Sequence, residues 1–353
     1  NVETATFYIN DLESGYCGFA QIIHSNIGIT TTAQFTFKLY NKAAGFKQIW
    51  TSTKLENFEI VDKKNFKADN LTLEWNDSDG SLRIKSEVNP ESIIDLLFKP
   101  STANGVKFGS DPSTYYGPSI EEQWGSMRHV YHPRCQVEGS ITNLTNGDVI
   151  ELTSEKTFGL YVMALQNMKP HHCAKEWRFA WFVNETESLV LMQFETPKSY
   201  GNSIVSQAIV TVDDDNETKI LACPCDNDLK LLGQYKDEET GWAYAKSIDY
   251  VFNGYEVKDN DADNEAITED SKAIKFELKG DLTELIERMD VMNEIPQFVK
   301  NIVSGVTATK PFIYQYFSND LSLSRSDKKN EAAIKGSAWV EVTYITDERE
   351  PAE

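Results

Sequence analysis

Few residue clusters in this 353-residue chain have the types and spacing that metal binding or catalysis requires. The compact groups of soft metal ligands are His171-His172-Cys173 and Cys223-Pro224-Cys225. A structural zinc site uses two spaced pairs of such residues, and neither group supplies them. Sequence motifs such as GxSxG, HExxH, GxGxxG and the P-loop do not occur. We therefore predict no metal ion, no cofactor and no catalytic residue.

Aromatic side chains at strand spacing are the more informative signal. Two segments, WGSMRHVYHPRC (124–135) and EWRFAWFV (176–183), and a strand predicted over Thr32–Tyr40 carry them. Because successive residues of a strand point to opposite faces, each segment places its aromatic residues on one shared face. Such faces are typical of a barrel interior that holds an apolar ligand, and packing of the barrel core is the alternative for each residue taken singly. The residues predicted to contact a ligand are Phe35, Phe37, His129, Tyr131, Trp177, Phe179 and Trp181.

Alternation of apolar and polar residues with period two dominates the elements that must position these side chains. In Thr32–Tyr40, for example, Ala33, Phe35, Phe37 and Leu39 share one face. No helical pattern of 10 to 15 residues separates the first strands, which disfavours parallel nucleotide-binding folds. The length suits two domains. We predict an all-β chain with one antiparallel unit over 1–166 and a second over 167–353.

One segment departs from this pattern. The apolar residues of Asp281–Ser304 recur at intervals of three and four, which predicts a helix. Pro296 lies inside the segment and lacks a backbone N–H, so the helix should break there. The sequence therefore predicts one broken helix near the C-terminus.

The charge balance excludes one class of partner. Net charge is −21, with 14 Lys and Arg against 20 Asp and Glu up to residue 166 and 20 against 35 after it. Without a cluster of Lys and Arg, binding of nucleic acid or of an anionic membrane surface by the body of the protein is not expected. The acidic run Asp259–Asp270 predicts a solvated, mobile loop without the spacing of a calcium site.

The cysteines and the hydropathy pattern indicate the compartment. Five scattered cysteines, an odd number, do not form the framework of a disulfide-rich secreted fold, so a reducing compartment is expected. No run of residues approaches the ~18 apolar positions of a membrane-spanning helix. We expect a soluble body.

Several long blocks of this sequence resemble the fungal survival factor 1 family, and the resemblance covers nearly the whole chain. The blocks are NVETATFYINDLESGYCGFAQIIHSNIG (1–28), AQFTFKLYN (33–41), WGSMRHVYHPRC (124–135), EWRFAWF (176–182), RMDVMNEIP (288–296) and KPFIYQ (310–315). The resemblance implies two tandem lipocalin-like antiparallel β-barrels in one chain. It also implies a non-enzymatic, cytoplasmic carrier that binds ceramide or a similar lipid and moves it from the endoplasmic reticulum toward the Golgi, with a link to survival under oxidative stress.

The same resemblance implies peripheral contact with endoplasmic reticulum and Golgi membranes. An amphipathic N-terminal segment would make this contact, and by the family pattern it would precede Asn1. The expected oligomeric state is a monomer.

An enzymatic alternative stays open, because the double-barrel architecture also resembles that of carotenoid hydratases and some cyclases. Such an enzyme would act on an apolar lipid or an isoprenoid, with one acidic side chain as the proton donor. The candidates are Glu176, His24, His129 and His132. A salt bridge with a nearby Arg or Lys is the expected role of Glu176, and a hydrogen-bonded structural role is the expected one for His24.

Overall fold

The protein was examined as a computed structural model. It describes residues 1–27, 30–43, 45–168, 170–214, 217–223, 227–257, 272–291, 310–328 and 331–346. The chain divides into two compact units: Asn1–Lys107 with Asp111–Asn167, and Phe108–Ser110 with Met168–Glu353. The division falls next to the boundary expected at residue 166. The acidic run Asp259–Asp270 lies outside the described residues.

The first unit is a meander of antiparallel strands, as the period-two alternation predicts. Its strands are β1 (Val2–Asp11), β2 (Cys17–Ile27), β3 (Thr30–Tyr40), β4 (Ile49–Lys54), β5 (Glu59–Val61), β6 (Asn65–Ala68), β7 (Leu71–Trp75), β8 (Leu82–Ser86), β9 (Ser92–Pro100), β10 (Ser113–Tyr116), β11 (Gly125–Asn143), β12 (Val149–Leu152) and β13 (Thr157–Gln166).

These strands form one curled sheet in the order β4-β3-β2-β1-β13-β11-β9-β8-β7-β6-β5, with β10 and β12 paired to β11. The sheet is not closed by backbone pairing between β4 and β5 in the part of the chain that the structure describes. Apolar residues from both halves, such as Phe35 of β3 and Leu73 of β7, nevertheless belong to one buried core. The sheet is therefore an open half-barrel wrapped around its own interior.

The second unit begins with a short helix, α1 (Pro170–Cys173), and continues as antiparallel strands. Two 3₁₀ turns lie at Lys198–Tyr200 and Ser326–Lys328. The strands are β14 (Glu176–Val183), β15 (Glu187–Glu195), β16 (Ile204–Asp214), β17 (Glu217–Cys223), β18 (Asp228–Leu232), β19 (Tyr235–Lys236), β20 (Ala243–Tyr244), β21 (Ser247–Glu256), β22 (Ile274–Asp281), β23 (Glu284–Asp290), β24 (Phe312–Arg325) and β25 (Ile334–Tyr344).

Eight of these strands close into a barrel. The order is β17-β16-β15-β14-β25-β24-β22-β21, and β21 pairs back to β17. The closing contact consists of the pairs Leu221↔Glu256 and Ala222↔Tyr255. The interior is packed with fully buried side chains, including Phe182, Phe252 and Phe276. The all-β, tandem lipocalin-like fold is therefore confirmed, with a closed second barrel and an open first one.

The helix predicted over Asp281–Ser304 is wrong for the part that the structure describes. Glu284–Asp290 is strand β23, which pairs with β24. The register shifts between Leu285 and Glu287, which marks a β-bulge. An extra residue in a strand breaks the alternation of period two, so apolar residues three and four apart fit this bulged strand. Pro296, where the break was expected, lies outside the described residues.

Candidate functional site

One end of the first unit's interior is a tightly packed core. Phe7, Phe37 and Phe98 are fully buried there, and the ring centroids of Phe7 and Phe98 are 5.4 Å apart. A Cβ atom added at Gly159 would lie 2.6 Å from Cγ2 of Val137, which is closer than real Cβ contacts allow. This end has no room for a ligand.

At the opposite end, several of the side chains that face the same interior are only half-buried. Glu3 lies opposite His24, and Met163 lies opposite both Ala5 and Val130. Glu3, His24, Val130 and Met163 all retain partial exposure although they share the face of the packed core. Solvent therefore enters the sheet from this end. We call this region the interior cup; its residues are Glu3, Ala5, Ile22, His24, Trp75, Val130, His132, Tyr161 and Met163.

The floor of the interior cup is aromatic. The ring centroids of Trp75 lie 5.5 Å from those of His132 and Tyr161, and the His132 and Tyr161 centroids are 6.0 Å apart. Tyr161 in turn stacks on Phe7 of the packed core at 4.9 Å. The three half-buried rings therefore form a continuous apolar surface that carries polar atoms.

The polar groups of the floor are uncharged. Burial lowers the pKa of His132 to about 4, so its imidazole is neutral at pH 7. Burial, and then the nearby Glu3 carboxylate, raise the pKa of the Tyr161 hydroxyl. Nδ1 of His132 is buried and has no hydrogen-bond partner among the described residues. A neutral imidazole nitrogen can donate or accept one hydrogen bond, so this atom lacks a partner that its chemistry allows.

The rim of the interior cup holds a pair of ionisable side chains. Nδ1 of His24 lies 3.8 Å from a carboxylate oxygen of Glu3, with 14% and 32% of their side chains exposed. The His24 ring also contacts Phe58, with centroids 5.2 Å apart. The contacts with Glu3 and Phe58 agree with the structural role expected for this histidine.

Phe35 and Phe37, which were predicted to form an apolar wall, share the interior face of β3. Phe35 lies opposite Ile22 and Phe37 opposite Ala20. Both phenylalanines are buried, at 1% and 0% exposure, and belong to the core. Phe35 therefore packs beside Ile22 of the interior cup, and Phe37 lies deeper in the packed core.

His129 and Tyr131 share a face of β11, as strand parity requires, but it is the face opposite His132. They are buried at 5% and 2% exposure. The register of β11 shifts between His132 and Cys135, and beyond this bulge Cys135 belongs to the interior core. The extra residue inverts the parity, so the strand's first half turns its even-numbered residues inward. The structure therefore separates His129 and Tyr131 from Phe35 and Phe37.

Trp177, Phe179 and Trp181 also lie together, on the outer face of β14. The barrel interior receives the alternate residues Ala180 and Phe182. Trp177 contacts its cross-strand neighbour, Phe194 of β15, with ring centroids 5.1 Å apart. Contact of these three residues with a ligand stays a prediction, and the structure places none of them inside the second barrel.

The sequence interpretation did not single out Trp75 or Tyr161, and it considered His132 only as a proton donor. A signal was present, because Tyr161 alternates with Gly159 and Met163 in β13. Alternation groups the residues of a strand into two faces but does not say which face points to the interior. The sequence alone therefore could not place Tyr161 inside the sheet.

Glu176 makes the ion pair expected of it. Nε of Arg178 lies 2.6 Å from a carboxylate oxygen of Glu176. Cys17, Cys135, Cys173 and Cys223 are buried, and none of them forms a disulfide among the described residues. No group of three or more His, Cys, Asp or Glu side chains is placed to hold a metal ion in the described ranges.

A closed eight-stranded barrel that follows a curled half-barrel defines the tandem lipocalin-like class of proteins. Within this class, a family model described as the Svf1 family matches residues 1–346. The chain belongs to this family, which is the one indicated by the resemblance. The ceramide-binding protein SVF1 of Kluyveromyces lactis is 45% identical over 362 residues, which cover 100% of this chain and 85% of that protein. The protein of the same name from Candida albicans is 47% identical over 98% of this chain and 85% of its own length.

Solved structures share the architecture at low sequence identity. Kievitone hydratase from Nectria haematococca matches with a TM-score of 0.59 over 98% of this chain and 89% of that chain. The identity is 14%, so the likeness shows the fold alone. Among the described residues, no helix is long and apolar enough to cross a membrane.

Proposed function

We propose that this protein binds ceramide in the interior cup of the first unit and carries it between membranes without covalent chemistry. The observation that supports this most directly is the half-buried, aromatic floor formed by Trp75, His132 and Tyr161 inside an otherwise packed sheet. Relatives that cover the same length are named ceramide-binding proteins.

The chemistry of the floor suits the head of a ceramide. This head is uncharged and presents an amide and two hydroxyl groups, each of which needs a partner once it leaves water. An unpaired buried polar group costs about 1 to 3 kcal/mol. Nδ1 of His132 and the Tyr161 hydroxyl are neutral groups that can donate or accept a hydrogen bond. Charged side chains would instead favour an anionic or cationic lipid.

The walls suit the acyl chains. Val130 and Met163 present partly exposed apolar surface, and the buried Ala5 and Ile22 pack beside them. Transfer of one CH₂ group from water to such a surface is worth about 0.8 kcal/mol. Two long acyl chains therefore face a high barrier when they cross water unaided, and a protein that shields them accelerates exchange between membranes.

The same geometry weighs against an enzymatic role. His129 and His132 have pKa values lowered by burial to about 4, so almost no imidazolium is present at neutral pH to donate a proton. The Glu176 carboxylate is held by Arg178 at 2.6 Å. A general acid needs a pKa near the working pH, and the two histidines His129 and His132 do not provide one.

The wider role follows the family resemblance. By this proposal the protein is a cytoplasmic monomer that visits endoplasmic reticulum and Golgi membranes through an amphipathic N-terminal segment. It moves ceramide from the first membrane toward the second. The link to survival under oxidative stress would then follow from the control of free ceramide.

The proposal can be tested by filling the interior cup. Val130→Trp adds an indole to the wall, and Val149→Trp is the matched control because Val149 is 55% exposed on β12. Transfer of fluorescent ceramide from donor to acceptor phosphatidylcholine vesicles is measured with each protein. Wild type and Val149→Trp should accelerate transfer, and Val130→Trp should lose at least tenfold of that acceleration.

Met163→Phe, which fills the same space with a smaller change in shape, guards against a folding defect in Val130→Trp. Circular dichroism establishes that each variant is folded. Wild-type protein that fails to accelerate transfer would overturn the carrier function. Full activity of both folded cup variants would instead show that ceramide does not bind at this end of the sheet.

A further inference from the structure

One end of the closed barrel is covered by a hairpin. We call Tyr235–Tyr244, which contains β19 and β20, the capping hairpin. Its Asp237 accepts a hydrogen bond of 2.8 Å from the Tyr314 hydroxyl and pairs with Nε of Arg288 at 2.5 Å. Trp242 is 4% exposed and stacks on Tyr344, with centroids 4.9 Å apart. These contacts hold the hairpin against the barrel end.

A half-buried cation, Arg178, lies at the same end of the barrel, near Tyr344. Arg178 points into the barrel from β14, donates from Nη1 to the carbonyl of Leu229, and donates from Nε to Glu176 at 2.6 Å. Burial acts to lower the pKa of Arg178, but Glu176, Tyr250 and Tyr344 together outweigh it and the pKa rises. The guanidinium therefore stays charged, and its charge is balanced by Glu176.

Around Arg178 lie buried polar atoms that have no hydrogen-bond partner among the described residues. Two are the hydroxyls of Tyr250 and Tyr316, whose residues are 0% and 1% exposed. The Tyr316 hydroxyl lies near the backbone of Ala245 but forms no hydrogen bond of ordinary geometry with it. A third is Oε1 of Gln193, a residue that is 8% exposed.

The register places Gln193, Asn227 and Tyr250 around Arg178, and Tyr316 lies within electrostatic reach of Tyr250. Gln193 lies directly opposite Arg178, and Ser206 lies opposite Gln193 on the same interior face. Nδ2 of Asn227 donates to the Ser206 hydroxyl at 2.7 Å, which leaves the Asn227 Oδ1 atom buried without a partner. Leu229, whose carbonyl binds Arg178, lies opposite Tyr250. We call Arg178, Gln193, Asn227, Tyr250 and Tyr316 the polar chamber.

Buried polar atoms in proteins are nearly always paired, because each unpaired one is costly. Several buried polar atoms without a hydrogen-bond partner in one cluster therefore indicate that a ligand supplies the partner. We propose that the polar chamber is a second binding site, for an uncharged group that bears at least two O–H or N–H donors and one acceptor. The site is separate from the interior cup and does not depend on where ceramide binds.

The donor and acceptor set defines this ligand class. The oxygens of Gln193 and Asn227 are acceptors and require donors from the ligand. The hydroxyls of Tyr250 and Tyr316 supply donors for its acceptor. Because Glu176 already neutralises Arg178, a charged ligand would be left without a counter-ion. Two sources have this chemistry, namely the amide-diol head of a ceramide and a small soluble polyol such as glycerol.

The test removes the two phenolic hydroxyls with little change of shape. Short-chain ceramide and glycerol are each titrated into wild type, the Tyr250→Phe/Tyr316→Phe double variant and Val130→Trp. Stoichiometry is read by calorimetry, and thermal midpoints establish that each variant is folded. If the chamber takes the ceramide head, wild type binds two ceramides and each variant binds one. Single Tyr→Phe variants should weaken the chamber site about tenfold each.

The outcomes separate the two sites. Glycerol that stabilises wild type but not the double variant identifies the soluble source and supports the chamber. Suppose that wild type binds one ceramide per chain, that only Val130→Trp loses it, and that glycerol has no effect. This result supports the interior cup and refutes the polar chamber. Ceramide binding that is lost only in the double variant overturns the cup and supports the chamber. If neither probe binds, both the chamber and the proposed function fail.

Discussion

The two buried histidines of β11 make the stability of the first unit depend on pH. His129 and His132 have pKa values lowered by burial to about 4, whereas an unfolded histidine titrates near 6.5. Between these values the unfolded chain binds protons that the folded chain does not. The contribution of the two neutral histidines to the free energy of unfolding is therefore complete above pH 6.5 and falls as the pH drops below this value.

The magnitude follows from these pKa values. Lowering the pH from 8 to 5.5 should cost about 1.4 kcal/mol of unfolding free energy for each histidine, or about 2.8 kcal/mol for both. His129→Gln and His132→Gln keep a polar side chain that cannot titrate. Each variant should lose about 1.4 kcal/mol less than wild type between the two pH values.

The assay is urea unfolding at pH 8 and pH 5.5 for wild type, each single variant and the double variant. Only the difference between the two pH values is compared, so a constant loss of stability from the substitution cancels. The double variant should lose about 2.8 kcal/mol less than wild type. An equal pH-dependent loss in all four proteins would refute the assignment of two neutral, buried imidazoles.

Three further substitutions probe packing and charge, with unfolding free energies measured in urea. Arg325→Met should cost about 3 to 5 kcal/mol, because it leaves the buried carboxylate of Glu187 without its partner. The two side chains are 3.2 Å apart, and 2% of the Glu187 side chain is exposed. A loss below 1 kcal/mol would contradict this prediction. Gly159→Ala should cost about 1 to 3 kcal/mol, since its Cβ would approach Phe98 to 2.7 Å, and an unchanged midpoint would show that the core can yield. Phe37→Ala should cost about 3 to 5 kcal/mol while the folded fraction still binds ceramide, and loss of binding without loss of stability would place Phe37 in the site.

Local sequence pattern was sufficient for the strands themselves. Glu176–Val183 was predicted as a strand and is observed with those bounds as β14. Thr32–Tyr40 lies within β3, which begins two residues earlier. Alternation of side chains is a property of the extended backbone, so it can be recognised without knowing the neighbouring strands.

Which face of a strand points inward is decided by partners far away in the chain. The parity of β11 inverts at the bulge between His132 and Cys135, where the strand begins to pair with β9. Nothing in the local sequence of this strand specifies where a bulge falls. His129 and Tyr131 were therefore grouped correctly with each other, whereas the side of the sheet that they face could not be predicted.

The helix prediction was wrong for residues 284–290 for a related reason. Leu285 and Met289 are four residues apart, which suits one face of a helix. In the structure the same residues pair with Tyr316 and Ile313 of β24, across a bulge. Pairing with a distant strand outweighs the local helical pattern, because tertiary contacts supply most of the stability of either element.

The pairing of each unit's first strand with its last strand has a consequence for synthesis on the ribosome. Phe7 of β1 pairs with Tyr161, and Trp181 of β14 pairs with Trp339, so each partner is made about 150 residues later. At 5 to 20 residues per second, the first strand of each unit waits on the order of ten seconds for its partner. During that time its hydrogen-bonding edge is open to wrong partners. Codon usage that slows elongation after residue 167 would give the first unit time to complete its sheet before β14 emerges.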